Sequence, residues 1–343
     1  MKTRNSSIDI FRFVAALFVV WCHAGVFIEL DEKIYMAVTQ QLPRFSVAFF
    51  FGVAGYYYIA ALLKGKASLG KQLKAILRVY ITWTLIYYAV SFGVNIILEG
   101  EDLGTFLVER VVNFFTKGSY FHLWYIVALI YALIVVTIVH RLAGERGLQV
   151  LAGLGVVLTI LGALGSVYYP FGSKLPVLQM IYDNEYFDLI MKWFGMGIPY
   201  VSLGYIVLKL NTMEKQVTNK RIWIGWGITF ILYLLEIWFV VWKVAYYERC
   251  ELMISVYFLT IMNLLVLLRN PLPQYQGIAN TSRGISSFMY FSHPLVILVL
   301  QKALGFMNMS VGSLGIYFVV VLITGVFGYI IESKEWCIKK YLL

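Results

Sequence analysis

Long apolar runs alternate with short polar connections along the whole chain. Runs of about 18 to 25 mostly apolar residues have the length that an α-helix needs to cross a bilayer. Ten such runs predict an all-α integral membrane fold, a bundle of about ten transmembrane helices. Nothing else is long enough to fold alone, so we expect residues 1–343 to form one membrane domain. The runs lie near residues 8–29, 45–63, 78–98, 123–140, 148–168, 189–208, 222–243, 252–268, 286–303 and 312–331.

Composition supports this interpretation. The chain is 61% hydrophobic and only 13% charged, whereas soluble domains carry roughly 25% charged residues. We expect a multi-pass protein of a bacterial-type plasma (inner) membrane, in contact with membrane lipid and not with nucleic acid. The three cysteines are scattered without metal-binding spacing, so no metal site is expected. The oligomeric state is left open.

Lysine and arginine set the orientation. Most of the 28 basic residues fall in the connections on the side of the N-terminus, and such connections face the cytoplasm. Both termini are therefore predicted to be cytoplasmic. The net charge of +10 would lie mostly on this face, where it attracts anionic lipid or a polyanionic ligand. Topology alone also explains most of this asymmetry.

The first apolar run, FRFVAALFVVWCHAG, contains two ionisable residues, Arg12 and His23. Their spacing leaves them roughly 20° from alignment on one helix face and roughly 16 Å apart along the axis. Asp9 precedes Arg12 by one turn and can pair with it. Charged groups at bilayer depth are costly, so each is a functional candidate. Arg12 could instead snorkel to the headgroups, and His23 could only join two helices.

A ligand that reached from the membrane surface into the core would touch both residues. Coenzyme A has this shape, because its phosphate-rich head carries a thin pantetheine arm that spans on the order of 16–20 Å. With the head at Arg12, the thioester of an acyl-CoA would lie near His23. The match in length is suggestive but not specific.

The segment IDIFRFVAALFVVWCHAG resembles the first helix of the acyltransferase-3 family of membrane proteins. Asp9, Arg12 and His23 occupy the positions of that family's Asp-x-x-Arg and Arg-x10-His pattern. Further segments resemble the family's later helices in the expected order: RFSVAFFFGVAGYYY (44–58), LKAILRVYITW (73–83), FHLWYIVALIYAL (121–133), FGMGIPYVSLGY (194–205) and ISSFMYFSHPL (285–295).

The resemblance implies a ten-helix bundle that moves an acyl group, usually acetyl, from cytoplasmic acyl-CoA to a hydroxyl of a cell-envelope glycan or lipid-linked sugar. His23 would act as the general base in this O-acetylation. Acyl-CoA would be a co-substrate, and no tightly bound cofactor is expected.

Arg12, Arg78 and Lys74, with Asp9, are the candidate donor-binding residues. The family commonly has Arg-x-x-Arg at the third helix, but here Ala75 stands three residues before Arg78. Lys74 could substitute as a point charge, although it lacks the bidentate fork of arginine.

Glu236 lies in the middle of the seventh run, at a depth similar to that of His23. If the two meet, the carboxylate would fix the tautomer of the imidazole, as in a catalytic triad. A serine or a backbone group is the alternative partner of His23.

His122, Trp124, Tyr290 and His293 are the candidate substrate-binding residues, taken from the two later segments of the resemblance that contain histidine. Trp124 also fits an aromatic belt at the membrane interface. His293 could equally serve helix packing at the bend that Pro294 produces.

Two other classes of function remain open. A transporter or exporter of a small polar solute, such as serine, could use the same buried ionisable residues. It would be expected to show matched broken helices in its two halves, and no convincing pair is found. A sensory or structural membrane partner is the third class.

Overall fold

The computed structural model describes residues 5–98, 100, 102–184, 186–334 and 338–343. Cys337 lies outside this part of the chain. The described residues form α-helices with short π and 3₁₀ continuations, and no β-strand occurs among them. The helices are α1 (Ser6–His23), α2 (Glu32–Tyr35), α3 (Phe45–Leu63), α4 (Leu69–Ser91), α5 (Leu103–Phe115), α6 (Trp124–Leu164), α7 (Tyr169–Gly172), α8 (Pro176–Tyr182), α9 (Phe187–Ile190), α10 (Ile198–Thr212), α11 (Asn219–Phe239), α12 (Ile254–Arg269), α13 (Gln276–Phe306), α14 (Ser313–Ser333) and α15 (Lys339–Leu342).

Eight helical stretches of the described chain are long and apolar enough to cross a membrane. The helix α12 is apolar but shorter. An all-helical membrane bundle is therefore confirmed, whereas ten crossings and two cytoplasmic termini stay predictions. The eight stretches are Ser6–His23, Glu32–Leu63, Leu69–Val94, Trp124–Leu164, Phe187–Thr212, Asn219–Val244, Pro273–Phe306 and Ser313–Ser333.

Helix α6 reverses direction at Gly144, whose φ of 59° and ψ of −146° are not helical. A Cβ atom on Gly197 would approach the Ala128 carbonyl, and one on Gly155 would approach the Cα of Pro199. Residues 128 and 155 would lie roughly 40 Å apart on a straight helix, yet both contact the beginning of α10. The fourth and fifth predicted runs are thus the two arms of a helical hairpin.

Helix α1 ends at His23, several residues before the predicted end of the first run. Gly25 has a φ of 63°. Its N–H donates to the Cys22 carbonyl (3.2 Å) and the Val26 N–H to the Trp21 carbonyl (3.4 Å), the hydrogen bonds of a Schellman motif. The first predicted run placed His23 within the helix. In the structure His23 lies at the helix terminus instead.

Two further boundaries differ from the sequence prediction. Helix α4 begins at Leu69, well before residue 78, because the Ser68 side chain accepts a hydrogen bond from the Lys71 N–H. Helix α5, which was not predicted, buries only Phe106 and exposes apolar residues such as Leu107 and Val111.

Helices α3 and α10 pack backbone against backbone. A Cβ atom on Gly55 would lie 2.0 Å from the Val201 carbonyl oxygen. One on Gly204 would lie 2.4 Å from the Tyr56 nitrogen. The two backbones approach this closely because both positions lack side chains, as in other membrane helix pairs.

Candidate active site

Three of the chain's four histidines converge at one end of the bundle. His23 ends α1, His122 lies just before α6, and His293 lies within α13. The rings of His23 and His293 stack with centroids 5.2 Å apart, and those of His122 and His293 are 5.4 Å apart. We call these three residues the histidine cluster. Across the described residues, no three histidine, cysteine or carboxylate side chains are placed to share a metal ion.

Hydrogen bonding fixes the tautomer of His293. Its Nδ1 lies 3.0 Å from the Met289 carbonyl, which can only accept, so Nδ1 carries the proton. The neutral ring then keeps its lone pair on Nε2. This atom is buried and has no hydrogen-bond partner among the described residues. A buried, unsatisfied acceptor is rare in proteins and marks a site for proton exchange or ligand contact.

His122 is held by its backbone, and its ring nitrogens are left open. The Tyr290 hydroxyl donates to the His122 carbonyl (2.6 Å), and the Tyr290 ring packs against the imidazole. Neither ring nitrogen forms a well-aligned hydrogen bond within the described structure. The Phe291 carbonyl lies beside the ring but accepts from the Tyr87 hydroxyl at 2.6 Å.

His23 differs from the other two members because it is exposed. His122 is 2% exposed and His293 is fully buried. The Phe121 ring packs edge-on against His23 at 5.1 Å between centroids. His23 is thus the exposed member of the cluster, and its ring stacks on that of the buried His293.

Arg12 forms the contact with Asp9 that the one-turn spacing predicts, at 3.6 Å between Nη1 and Oδ1. It also lines a cavity of about 620 Å³ together with Lys66 and Lys71. We call this the basic cavity. No carboxylate side chain is among the residues that line it, which are Arg12, Ala54, Tyr57, Tyr58, Ala61, Lys66, Ala67, Ser68, Lys71 and Gln72. Its charge is suited to a polyanion.

A second cavity of about 210 Å³ adjoins the first and leads towards the histidine cluster. Arg12, Ala54 and Gln72 line both cavities. Tyr125 and Tyr290 are among the residues that line only the second, which we call the aromatic cavity. Because Tyr290 contacts the rings of both His122 and His293, the aromatic cavity ends one side chain away from two members of the histidine cluster. No histidine is among the described residues that line either cavity.

The structure does not bring the other predicted donor residues into these cavities. Lys74 is exposed and lines neither cavity. The Arg78 guanidinium lies over the Tyr341 ring, 5.8 Å from its centroid. Helical geometry explains this, because residues 74 and 78 lie on the opposite side of α4 from Gln72 and Ile76, which do line the aromatic cavity.

Trp124 also lies apart from the histidine cluster. Its ring packs against Phe51 at 6.1 Å between centroids, and Lys192 lies 5.9 Å from the ring centre. No ring contact joins Trp124 to a histidine within the described part of the chain. Its neighbour Tyr125 lines the aromatic cavity instead.

The expected contact between Glu236 and His23 is not formed. The Glu236 carboxylate accepts from the N–H groups of Ile254 (2.9 Å) and Ser255 (2.7 Å). It also accepts from the Ser255 hydroxyl and from that of Tyr168 (2.8 Å). These N–H groups begin α12 and have no acceptor within the helix, so the carboxylate supplies their hydrogen bonds. Its negative charge also interacts favourably with the positive end of the helix dipole. This corrects the predicted contact: equal depth did not imply that Glu236 and His23 meet.

The connection after α1 is tied to α14 by Glu29. Its carboxylate accepts from the Ser313 N–H (2.6 Å) and hydroxyl (2.7 Å). These hydrogen bonds lower the pKa of the Glu29 carboxyl below its ordinary value. The Ser313 hydroxyl also accepts from the Phe27 N–H, so this link holds the turn that follows His23.

Comparison with known proteins agrees with this geometry. The chain matches the acyltransferase domain family over residues 5–332, so it belongs to that family. Together with the apolar helices, this makes it a multi-pass membrane protein of the acyltransferase domain family.

Curated proteins that resemble the chain are named racemases. The chain is 23% identical over 334 residues to an "Amino-acid racemase" of Enterococcus faecalis, covering 94% of this chain and 45% of that protein. It is 29% identical over 225 residues to a "Serine/alanine racemase" of Enterococcus gallinarum, covering 63% of this chain and 31% of that protein. The chain thus spans less than half the length of these relatives. No solved structure matches it significantly.

Sequence reasoning missed several cavity residues. Lys66 and Lys71 line the basic cavity, and they had been counted only as topological charges. Gln72 and Ile76 are one helical turn apart and continue the buried face of α4 that contains Trp83 and Tyr87. Had α4 been started at residue 69, this periodicity would have identified the inward face.

Proposed function

We propose that the chain transfers an acyl group, in the first instance acetyl, from acyl-CoA to the hydroxyl of a cell-envelope glycan or lipid-linked sugar. The observation that carries this proposal is the pair of adjoining cavities that runs from Lys66, Lys71 and Arg12 to Tyr290 beside the histidine cluster. Their cationic beginning suits the phosphates of CoA, and their narrow aromatic end suits the pantetheine arm.

The dimensions support this placement of the donor. Arg12 and His23 lie on one uninterrupted helix, so they are separated by roughly 16 Å along its axis. This is about the reach of an extended pantetheine arm. CoA phosphates near Arg12 would therefore place the thioester carbonyl near His23.

His23 is the base in this proposal because it is the exposed member of the cluster. A hydroxyl is a weak nucleophile, and a positioned imidazole can take its proton during attack. The new C–O bond forms as the C–S bond breaks, and the imidazolium returns its proton to the departing thiolate. His293 orients the His23 ring by stacking.

Mass spectrometry of envelope glycans and small metabolites, with and without the gene, tests the proposal in cells. We expect one acylated species to disappear and its unmodified form to accumulate. Purified protein in nanodiscs should bind acetyl-CoA and release free CoA thiol only when the acceptor is added. Absence of acetyl-CoA binding by folded protein would contradict the proposal.

The proposal requires the basic cavity to face the cytoplasm, where acyl-CoA is made. A cysteine placed in residues 64–72 should react only with a reagent admitted to the cytoplasm, and one in residues 100–105 should be labelled from outside. The reverse pattern would place the basic cavity on the wrong side of the membrane.

A further inference from the structure

Arg44 carries a positive charge beside the end of α1 with only neutral partners. Its Nη2 contacts the Cys250 thiol at 3.2 Å and the Gln40 side-chain oxygen at 3.4 Å. Its Nε is buried and has no hydrogen-bond partner in the described structure. Within those residues no carboxylate forms an ion pair with it. Glu251 is the acidic group that acts on it from a distance.

The site adjoins His23. The Cys22 thiol donates to the Gln40 oxygen at 3.7 Å, so Gln40 connects Arg44 with the residue that precedes His23. The guanidinium also acts electrostatically on the His23 ring. Arg44 and Cys250 are half-buried and His23 is exposed, and the contacts through Gln40 place the guanidinium at the end of α1 that carries His23.

The half-buried Arg44 guanidinium lies among thiols and an amide, and no carboxylate contacts it within the described residues; Glu251 acts on it only from a distance. Burying a charge is costly unless an opposite charge and hydrogen bonds compensate it, and arginine binds carboxylate and phosphate groups through its planar fork. Gln40 and the two thiols are neutral groups, so they supply no negative charge to balance the guanidinium. The arrangement resembles a binding site whose anion comes from outside the chain.

We propose that Arg44 binds an anionic group, a carboxylate or a phosphate, of the molecule whose hydroxyl is presented to His23. The assignment of that molecule as acyl acceptor rests on the proposed function. The binding of an anion at Arg44 does not rest on the proposed function. The donor would then occupy the cavities at Arg12, and the acceptor would be held at the opposite end of α1, with His23 between the two.

Native thiols report the charge of this site. In a Cys337→Ser background, Cys22 and Cys250 remain as targets for two methanethiosulfonates of similar size, the anionic 2-sulfonatoethyl and the cationic 2-(trimethylammonium)ethyl reagent. We expect the anionic reagent to modify Cys250 about tenfold faster or more, because a cation in a cleft concentrates anions. Arg44→Gln should abolish this preference, and Arg44→Lys should retain it as a folded, charge-conserving variant.

Arg249→Gln is the matched control. It lies next to Cys250 in sequence, but its guanidinium donates to the Tyr182 carbonyl (2.7 Å) and packs over the Tyr169 ring. It should leave the preference unchanged. A preference that survives Arg44→Gln, or no reaction with either reagent, would overturn the proposal, since the site would then be neutral or closed.

Small probes identify the anion. Inorganic phosphate and lactate, but not the uncharged 1,2-propanediol, should slow modification of Cys250 in the wild-type background and not in Arg44→Gln. Protection by phosphate alone indicates a phosphorylated acceptor, and protection by lactate alone indicates a carboxylate. Equal protection by propanediol, or none by either anion, would refute the site. Because no acyl-CoA is present, this outcome is independent of acyl transfer.

Discussion

The α3–α10 contact and the histidine cluster belong to one bundle, but they are built in opposite ways. At Gly55 and Gly204 the helix backbones touch, leaving no space even for a methyl group. Beside the histidine cluster the aromatic cavity reaches Tyr290, and both ring nitrogens of His122 and the Nε2 of His293 lack well-aligned hydrogen bonds among the described residues.

The difference separates stability from chemistry. The Tyr58 hydroxyl near the packed region bonds to Thr137 at 2.7 Å, so its polar group is used within the fold. The unsatisfied nitrogens of the histidine cluster cost folding energy, and a protein retains such groups where function needs them. Substitutions in the two regions should therefore fail in different ways.

The largest expected effect is on catalysis by His23→Ala. Loss of an acid–base group should lower acyl transfer by about 10²–10⁴-fold while the protein still folds and binds acetyl-CoA. Initial rates with saturating acetyl-CoA measure this. His140→Ala removes the one histidine outside the cluster and should retain normal turnover. Near-normal turnover by His23→Ala would return His23 to a packing role.

Gly55→Ala should instead destabilise the fold. The new methyl group would overlap the Val201 carbonyl, and overpacking typically costs about 1–3 kcal/mol, sometimes more. We expect lower expression and a lower unfolding temperature in detergent. Gly153→Ala in α6 is the control, because nothing lies within 4 Å of the added atom. Equal stability of the two variants would contradict the tight contact between α3 and α10.

Arg12→Ala should weaken acetyl-CoA binding by roughly 10- to 100-fold, as expected for a charge-assisted contact worth about 1.5–3 kcal/mol. Lys74→Ala should change the affinity little, since Lys74 lines neither cavity. Titration of acetyl-CoA into nanodisc-embedded protein measures both. The opposite ranking would restore Lys74 as the donor ligand and remove Arg12.

Glu236→Gln should cost about 1–2 kcal/mol of stability, as for the loss of a helix cap, because one accepting oxygen at the start of α12 is removed. Thermal unfolding measures the loss. The rate of transfer per folded molecule should remain within about twofold. A catalytic defect as large as that of His23→Ala would show that Glu236 acts on the chemistry after all.

The smallest effect is a pH dependence at Glu29. The Ser313 hydrogen bonds lower the pKa of this carboxyl, so they stabilise the fold fully above the ordinary carboxyl pKa. The contribution is lost as the pH falls through the lowered pKa. The difference in unfolding temperature between wild type and Glu29→Gln should be constant near neutral pH and shrink in acid. A difference that grew in acid would give the wrong sign. Ser313→Ala should remove this pH dependence of the difference in unfolding temperature.

Much of the fold could be predicted from the sequence because a helix in a bilayer must be long and apolar. The third helix Phe45–Leu63 has the predicted bounds. The two arms of α6 were also predicted, as two separate runs, because the polar residues around Gly144 interrupt the apolar pattern. Helix α5 was missed because its pattern is amphipathic and not continuously apolar.

The sequence by itself determined the contacts within α1, namely the pairing of Asp9 with Arg12 and the placing of Arg12 and His23 on one helix. Helical periodicity fixes position along and around a single axis. It does not say which faces of different helices meet. Only tertiary packing decided that His122 and His293 join His23. Packing likewise placed Glu236 at the start of α12, because contacts between distant segments depend on how the helices rotate against each other.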